Sequence, residues 1–300
     1  MIRMFRRVGL TFIFGVVTAL AMVPAQAGAI LDRIRDSGHL VIAYREASVP
    51  FSYIGPDGKP IGYAIDLCRH LVDAVATKLG KKSLTVDYLL VTSATRVGTI
   101  ADGKADLECE STTNTAERRT KVAFTVPHYI TGTRYVVRSD SPIEQLSDFR
   151  DRRLVSTAGT APLKAVRAAD REYGLGIHIS EVPDHPRGVE MVAQGMVDGF
   201  AMDEVLLAGL ITTQSDPGKF KIVGKYLTIE PLAMMLPRGD ADYKRVLDDE
   251  MKRLIRSGEA AELHDRWFTK PIPPNNRTLA LPMPYLLRDF WKYPSDWVPE

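Results

Sequence analysis

Cys68 and Cys109 are the only two cysteines in 300 residues. That excludes a disulfide scaffold and any cysteine-rich zinc site. The six histidines lie scattered, without metal-ligand spacing. No Gly-x-x-x-x-Gly-Lys-Ser/Thr loop, Gly-x-Ser-x-Gly elbow, His-Glu-x-x-His or Gly-x-Gly-x-x-Gly occurs. Covalent and metal-dependent mechanisms therefore have no visible apparatus, and no metal or cofactor is expected. Neither sign of charge prevails, with 39 Lys and Arg against 37 Asp and Glu. Net charge thus gives no basis for a nucleic-acid partner. What is plentiful is core material: 45% hydrophobic and 25% charged residues exclude disordered, collagen-like and mucin-like chains. A chain of this length forms one large domain or two ordinary ones.

The first 27 residues carry an export pattern. Arg3, Arg6 and Arg7 precede an uncharged apolar stretch from Val8 to Val23, and Ala25-Gln26-Ala27 is a small-x-small cleavage pattern. An uncleaved anchor is the alternative, since the stretch approaches the ~20 apolar residues of a spanning helix. The Ala-x-Ala pattern favours cleavage after Ala27. With those three arginines removed, 36 basic residues face 37 acidic ones. No second apolar run of that length follows, so the exported chain is expected to be soluble. In an oxidising compartment Cys68 and Cys109 are either bridged or two buried reduced thiols.

Beyond the leader, short β-rich runs alternate with helical spacing. Strands are expected at His39–Tyr44, Leu84–Leu90 and Ala105–Cys109, with helices over Ile65–Leu79 and Ser93–Asp102. This βαβαβ run implies a mostly parallel sheet flanked by helices. Strands at Thr133–Arg138, Arg153–Ser156, Ile177–Val182, Val197–Met202 and Lys221–Val223, with helices near 160–173, 186–194 and 204–212, imply a second sheet of the same type. A strand at Met234–Leu236 and helices near 240–256 and 258–267 come after it. Ile100-Ala-Asp-Gly-Lys-Ala-Asp106 and Val192-Ala-Gln-Gly-Met-Val-Asp198 echo one another, each with a helix-ending glycine and then an aspartate opening a strand. Lys270-Pro-Ile-Pro-Pro-Asn-Asn276 forbids helix or central strand, and the tail to Glu300 reads as a strap laid over the body.

Ligands of open parallel sheets bind beyond the carboxyl ends of strands. Arginine and hydroxyl residues gather there: Arg45 after the first strand, Ser93 and Arg96 after the second, and Arg118 in the segment after the third. Ser93 is placed to cap the following helix. Arg96 and Arg118 fall just inside helix starts, where a cation opposes the dipole at about 0.3–1 kcal/mol, so helix stability does not explain them. An anionic ligand does. The alternative is solvated arginines paired with neighbouring glutamates. In the second half Thr157 and Thr160 are placed to donate to an anion or to cap a helix that has proline near its start. His185 begins another helix, where it is either a polar contact or structural. Asp203, directly after a strand, is an acceptor for an ammonium or an N-cap. The set suits a zwitterion with extra negative charge.

The segments Arg45-Glu-Ala-Ser-Val-Pro-Phe-Ser-Tyr, Glu108-Cys-Glu-Ser-Thr-Thr-Asn-Thr-Ala-Glu-Arg, Asp203-Glu-Val-Leu-Leu-Ala-Gly and Pro271-Ile-Pro-Pro-Asn resemble those of periplasmic solute-binding proteins of the polar amino-acid family, from about Leu31 to Pro274. The resemblance is strongest to the glutamate/aspartate receptors of ABC importers. It implies an α/β, type II, two-lobed fold with two hinge crossovers: lobe 1 from 28–130 plus 228–300, with the strap over 271–300, and lobe 2 from 131–227. It implies that Arg118, helped by Thr113 and Thr160, clamps the α-carboxylate of L-glutamate or L-aspartate. Ser111 and Asp203 would take the α-ammonium, and Arg45, Ser93, Arg96, Thr157 and His185 would surround the side-chain carboxylate. A membrane permease of an ABC importer is the implied partner, and a monomer the expected state. The sequence departs from that pattern where Glu110 stands in place of glycine, Ala161-Pro162 in place of Thr-Ser, and His185-Pro186 in place of His-Gly. A carboxylate at 110 would repel an acidic ligand or occupy an arginine. Two rivals share the fold: a dehydratase-like enzyme using Glu110 as a cleft acid, and a ligand-sensing subunit.

Overall fold

The computed structural model describes residues 28–298; the export pattern and its cleavage point after Ala27 lie outside them. The chain runs through α1 (Ala29–Ser37), β1 (His39–Tyr44), β2 (Ala47–Ser48), β3 (Ser52–Ile54), β4 (Pro60–Ile61), α2 (Tyr63–Lys78), β5 (Thr85–Leu90), α3 (Arg96–Ala101), β6 (Leu107–Glu108), α4 (Ala116–Arg119) and β7 (Ala123–Phe124). Then β8 (Tyr129–Thr131) leads into β9 (Thr133–Arg138), β10 (Arg153–Thr157), α5 (Ala161–Tyr173), β11 (His178–Val182), α6 (His185–Ala193), β12 (Gly199–Asp203), α7 (Glu204–Thr213) and β13 (Phe220–Val223). The return is made by β14 (Glu230–Leu232), followed by β15 (Met235–Leu236), α8 (Ala241–Ser257), α9 (Glu259–Phe268) and α10 (Tyr285–Phe290).

Two five-stranded sheets result, ordered β5-β1-β6-β15-β7 and β11-β10-β12-β9-β13. Each centres on a parallel trio, and strands such as His39–Tyr44 are apolar nearly throughout because helices cover both faces. The sheets are less uniformly parallel than the sequence suggests. β9 runs antiparallel to β12 and β13, and β15 antiparallel to β6 and β7. A parallel neighbour needs a crossover of a dozen residues or more, usually a helix. β9 and β15 each enter their sheet directly from the β8–β14 crossing, β9 after Gly132 alone and β15 two residues after β14, and not from a helix of that sheet.

β8 and β14 pair antiparallel between the two sheets. Glu230, at the start of β14, fastens this crossing. It accepts from Thr113 Oγ1 (2.6 Å), Thr133 Oγ1 (2.9 Å) and Thr228 Oγ1 (2.8 Å).

The echo in the sequence is structural. Asp106 accepts from the backbone N–H of Val41 (2.8 Å) and Asp198 from that of Arg153 (2.9 Å), so each aspartate secures a neighbouring strand. Gly103 and Gly195 end the preceding helices at φ 67° and 68°, where a side chain is strained.

The α8 face Tyr243, Leu247, Met251 and Leu254 recurs at helical spacing and packs on α2, while Asp240 caps the helix by accepting from Tyr243 N–H (2.9 Å). α7 is apolar almost all round, because it is wedged between lobe 2 and the loop at Val49. At Gly209 any side chain would strike the carbonyl of Val49. Cys68 on α2 and Cys109 just past β6 form a disulfide.

The tail includes the short helix α10 and makes hydrogen bonds to several distant parts of the chain. Tyr53 Oη donates to the Pro273 carbonyl and Trp291 Nε1 to that of Pro127. Asn275 and Arg277 donate to the carbonyls of Thr212, Thr213 and Gln214 at the end of α7. Among the described residues no helix is long and apolar enough to cross a membrane, and no group of His, Cys, Asp or Glu is placed to hold a metal ion.

Candidate functional site

The carboxyl ends of β1, β5 and β6 deliver arginines to one place. Arg45, Arg96 and Arg118 are all buried, a rare condition for guanidinium groups. Arg45 extends from the end of β1 and donates to Ser93 Oγ (2.5 Å). Ser93 is therefore not the cap of α3. A turn between Thr92 and Thr95, closed by Thr92 N–H to Thr95 Oγ1 (3.0 Å), delays the helix until Arg96 and leaves Ser93 facing the cluster. Arg118 is held by the one-turn helix α4, where Thr115 Oγ1 accepts from its N–H (3.2 Å). Its guanidinium donates to the Thr113 carbonyl (2.8 Å) and to the carbonyl of Gly159 on the facing lobe (3.0 Å).

That last contact is possible because the two lobes approach closely. Gly159 sits at φ 76°, and a Cβ there would lie 2.7 Å from the Cα of Ala94. A salt bridge between Lys164 and Glu117 also spans the cleft.

Lobe 2 contributes Thr157, Thr160, His185 and Asp203, all buried. Thr157 Oγ1 shares a hydrogen bond with His185 Nδ1 (2.8 Å). Burial, reinforced by Arg45 and Arg96, pushes the His185 pKa well down, so the imidazole is neutral. Thr160 serves as the cap of α5: its Oγ1 donates to the Thr157 carbonyl (2.7 Å) and accepts from Leu163 N–H (3.3 Å). Asp203 stands at the N-cap position of α7 without making a side-chain cap. Its Oδ1 is buried with no hydrogen-bond partner among the described residues, as is Nε of Arg96. Burial and the nearby Glu230 raise the Asp203 pKa well above the usual range, against the pull of Arg96 and Arg118.

All ten residues singled out in the sequence are thus buried, and the contacts above draw most of them into one cluster where the lobes meet. Two hydroxyls have prior commitments: Thr113 Oγ1 to Glu230 (2.6 Å) and Thr160 to its cap. Ser111 Oγ lies 3.4 Å from Glu110.

Sequence reasoning passed over Glu108 and Glu230, which are buried in the same region. Glu108 accepts from Thr112 Oγ1 (2.7 Å), and burial raises its pKa despite Arg96. Glu230 carries little local signal, because two of its three partners, Thr113 and Thr133, lie about a hundred residues earlier in the chain. Glu110 contacts two arginines, one of the two outcomes the sequence leaves open for it. One oxygen contacts Nη1 of Arg96, and the other lies 3.7 Å from Nη1 of Arg45.

Three guanidinium groups, a neutral imidazole and an unpartnered carboxylate between two hinged lobes form a receptor geometry for a small polar molecule. A family model for bacterial extracellular solute-binding proteins, family 3, matches residues 40–270. The chain belongs to this family. Family 3 proteins bind solutes rather than catalyse reactions, which sets aside the enzyme reading of Glu110. This family 3 chain is 35% identical over 285 residues to an L-glutamate/L-aspartate-binding protein of Pseudomonas aeruginosa, with 94% of each chain covered. It is 33% identical over 270 residues to a glutamate/aspartate import solute-binding protein of Escherichia coli, covering 90% of this chain and 89% of that one. Among solved structures, a mutant ArgBP from T. maritima superimposes with a TM-score of 0.71 at 20% identity, covering 80% of this chain and 99% of that one. An ancestral arginine-binding protein bound to arginine gives 0.68 at 21% identity, covering 77% and 98%. These structural likenesses establish the shared two-lobed type II fold.

Proposed function

We propose that the chain is the receptor of an amino-acid ABC importer. It is exported to the periplasm with cleavage after Ala27, captures L-glutamate or L-aspartate as a monomer, and delivers it to a membrane permease. Lobe 1 comprises 28–130 and 228–300, lobe 2 comprises 131–227, and the β8–β14 pair is the hinge. Arg118 clamps the α-carboxylate, with Thr113 and Thr160 beside it. Asp203 and Ser111 receive the α-ammonium. Arg45, Arg96, Ser93, Thr157 and His185 surround the side-chain end.

The observation that carries this reading is the burial of Arg45, Arg96 and Arg118 opposite the unpartnered Oδ1 of Asp203. A buried carboxylate without a partner is expensive, and the ammonium of an amino acid supplies the counter-charge that Asp203 lacks, while its α-carboxylate supplies one for Arg118, whose guanidinium is otherwise held by carbonyl oxygens. An ammonium beside Asp203 favours its ionised form and offsets the burial that raises its pKa. The relatives at 33–35% identity support glutamate and aspartate as the ligand class. Contacts made from both lobes at once favour the closed form, so the ligand shifts a hinge equilibrium by its differential affinity.

The test is a thermal-shift screen of purified residues 28–300 against the common amino acids and small dicarboxylates. Glutamate or aspartate should raise the midpoint in a concentration-dependent manner, because a ligand of the native state stabilises by mass action. A midpoint unmoved by every amino acid would refute the proposal.

A further inference from the structure

The side-chain end of the site already holds a carboxylate of the protein. Glu110 is fully buried, with Oε1 on Nη1 of Arg96 and Oε2 3.7 Å from Nη1 of Arg45. Thr112 Oγ1 lies 2.9 Å from Oε1, its one proton shared between Glu110 and Glu108, Ser111 Oγ lies 3.4 Å from Oε2, and His128 Nε2 bonds the Glu110 carbonyl (3.0 Å). These contacts fix both the backbone and the carboxylate. Cys109, the preceding residue, is tied to α2 by the disulfide, which further limits withdrawal of Glu110 from the cluster.

The charge balance points the same way. Three buried arginines, Arg45, Arg96 and Arg118, stand among the buried carboxyl groups of Glu108, Glu110, Asp203 and Glu230, of which burial favours the neutral form at Glu108 and Asp203. A zwitterion with an uncharged side chain leaves that balance unaltered. A second ligand carboxylate adds one more anion beside Glu110 in a site closed to water, where like charges repel more strongly than in solvent.

We infer that Glu110 is a specificity-determining residue, an internal competitor for Arg45 and Arg96 that handicaps acidic amino acids against amide-bearing or hydroxyl-bearing ones of similar size. The inference rests on the proposed placement of the ligand side chain at Arg45 and Arg96. With Glu110 in place, glutamate must share or displace it, whereas the amide of glutamine has only to hydrogen-bond beside an ion pair already made.

Calorimetric titration of the unaltered protein, Glu110→Gln and Glu110→Gly with glutamate, glutamine, aspartate and asparagine tests this. Glu110→Gln keeps the side-chain volume and removes the charge, so it reports even if the glycine variant folds poorly. The ratio of glutamate to glutamine affinity should rise at least tenfold in Glu110→Gln, as should that of aspartate to asparagine. Ratios unchanged within threefold in a folded Glu110→Gln protein would overturn the inference while leaving the receptor reading intact. If none of the four ligands bound any of the three proteins, the receptor reading itself would fail, and the inference with it.

Discussion

Arg118 on lobe 1 donates through Nη2 to the carbonyl of Gly159 on lobe 2, at 3.0 Å. The same guanidinium therefore belongs both to the cluster of buried arginines and to the contact with Gly159. Arg118→Ala should weaken glutamate or aspartate binding by about 2–5 kcal/mol, because it leaves a ligand carboxylate buried and unpaired. Calorimetry showing unaltered affinity would remove Arg118 from the site.

Gly209 allows a test of closure that touches no ligand group. It lies within α7, where alanine is favoured over glycine by about 1 kcal/mol, but a Cβ there collides with the carbonyl of Val49 on the other lobe. Gly209→Ala should therefore lower ligand affinity at least tenfold without lowering the unliganded melting midpoint. Equal affinity for variant and parent would show that α7 does not approach Val49 in the bound form.

The Cys68–Cys109 bond closes a loop of 41 residues in sequence separation. Constraint of the unfolded chain by a loop of that size is worth about 4 kcal/mol in the chain-entropy treatment. Replacing both cysteines with serine should reduce the unfolding free energy in urea by an amount of that order. A loss below about 1 kcal/mol would argue that the bond adds little to stability.

His264 stacks on Phe268 with ring centroids 4.3 Å apart, and burial lowers its pKa to about 4. The unfolded chain takes up this proton near pH 6.5, whereas the folded chain resists it until about 4. Acid therefore favours unfolding through this group, and the contribution is constant above neutral pH. His264→Phe should gain on the parent by up to about 1.4 kcal/mol per pH unit as pH falls through that window. Parallel stability curves for the two proteins between pH 7 and 4 would contradict the assignment.

Legibility in the sequence followed the range of the forces involved. The strands His39–Tyr44 and Thr133–Arg138 appear with their observed ends, because runs of apolar and β-branched residues flanked by polar ones report burial locally. The crossing strands Tyr129–Thr131 and Glu230–Leu232 escape such a reading. Each has three residues, and each exists only because of a partner about a hundred positions away. The arginines were legible because a cation at a helix start contradicts local energetics and so demands another cause. Ser93 shows the limit: its residue type suits a cap, and only the turn at Thr92–Thr95 assigns its hydroxyl to Arg45. The stretch 270–276 was readable from its prolines as neither helix nor central strand, but the short helix of the tail and its grip on α7 were not.

The bonds from Asn275 and Arg277 to the last carbonyls of α7 involve groups that the helix itself cannot satisfy. They join the two halves through polypeptide alone, with no solute taking part. Under the proposed closure, part of the work of shutting is thus written into the chain, and a guest adds only the remainder. The grip measured for any guest would then be scaled by the fraction of molecules already shut, so a distant residue such as Arg277 would tune binding strength without ever meeting what is bound.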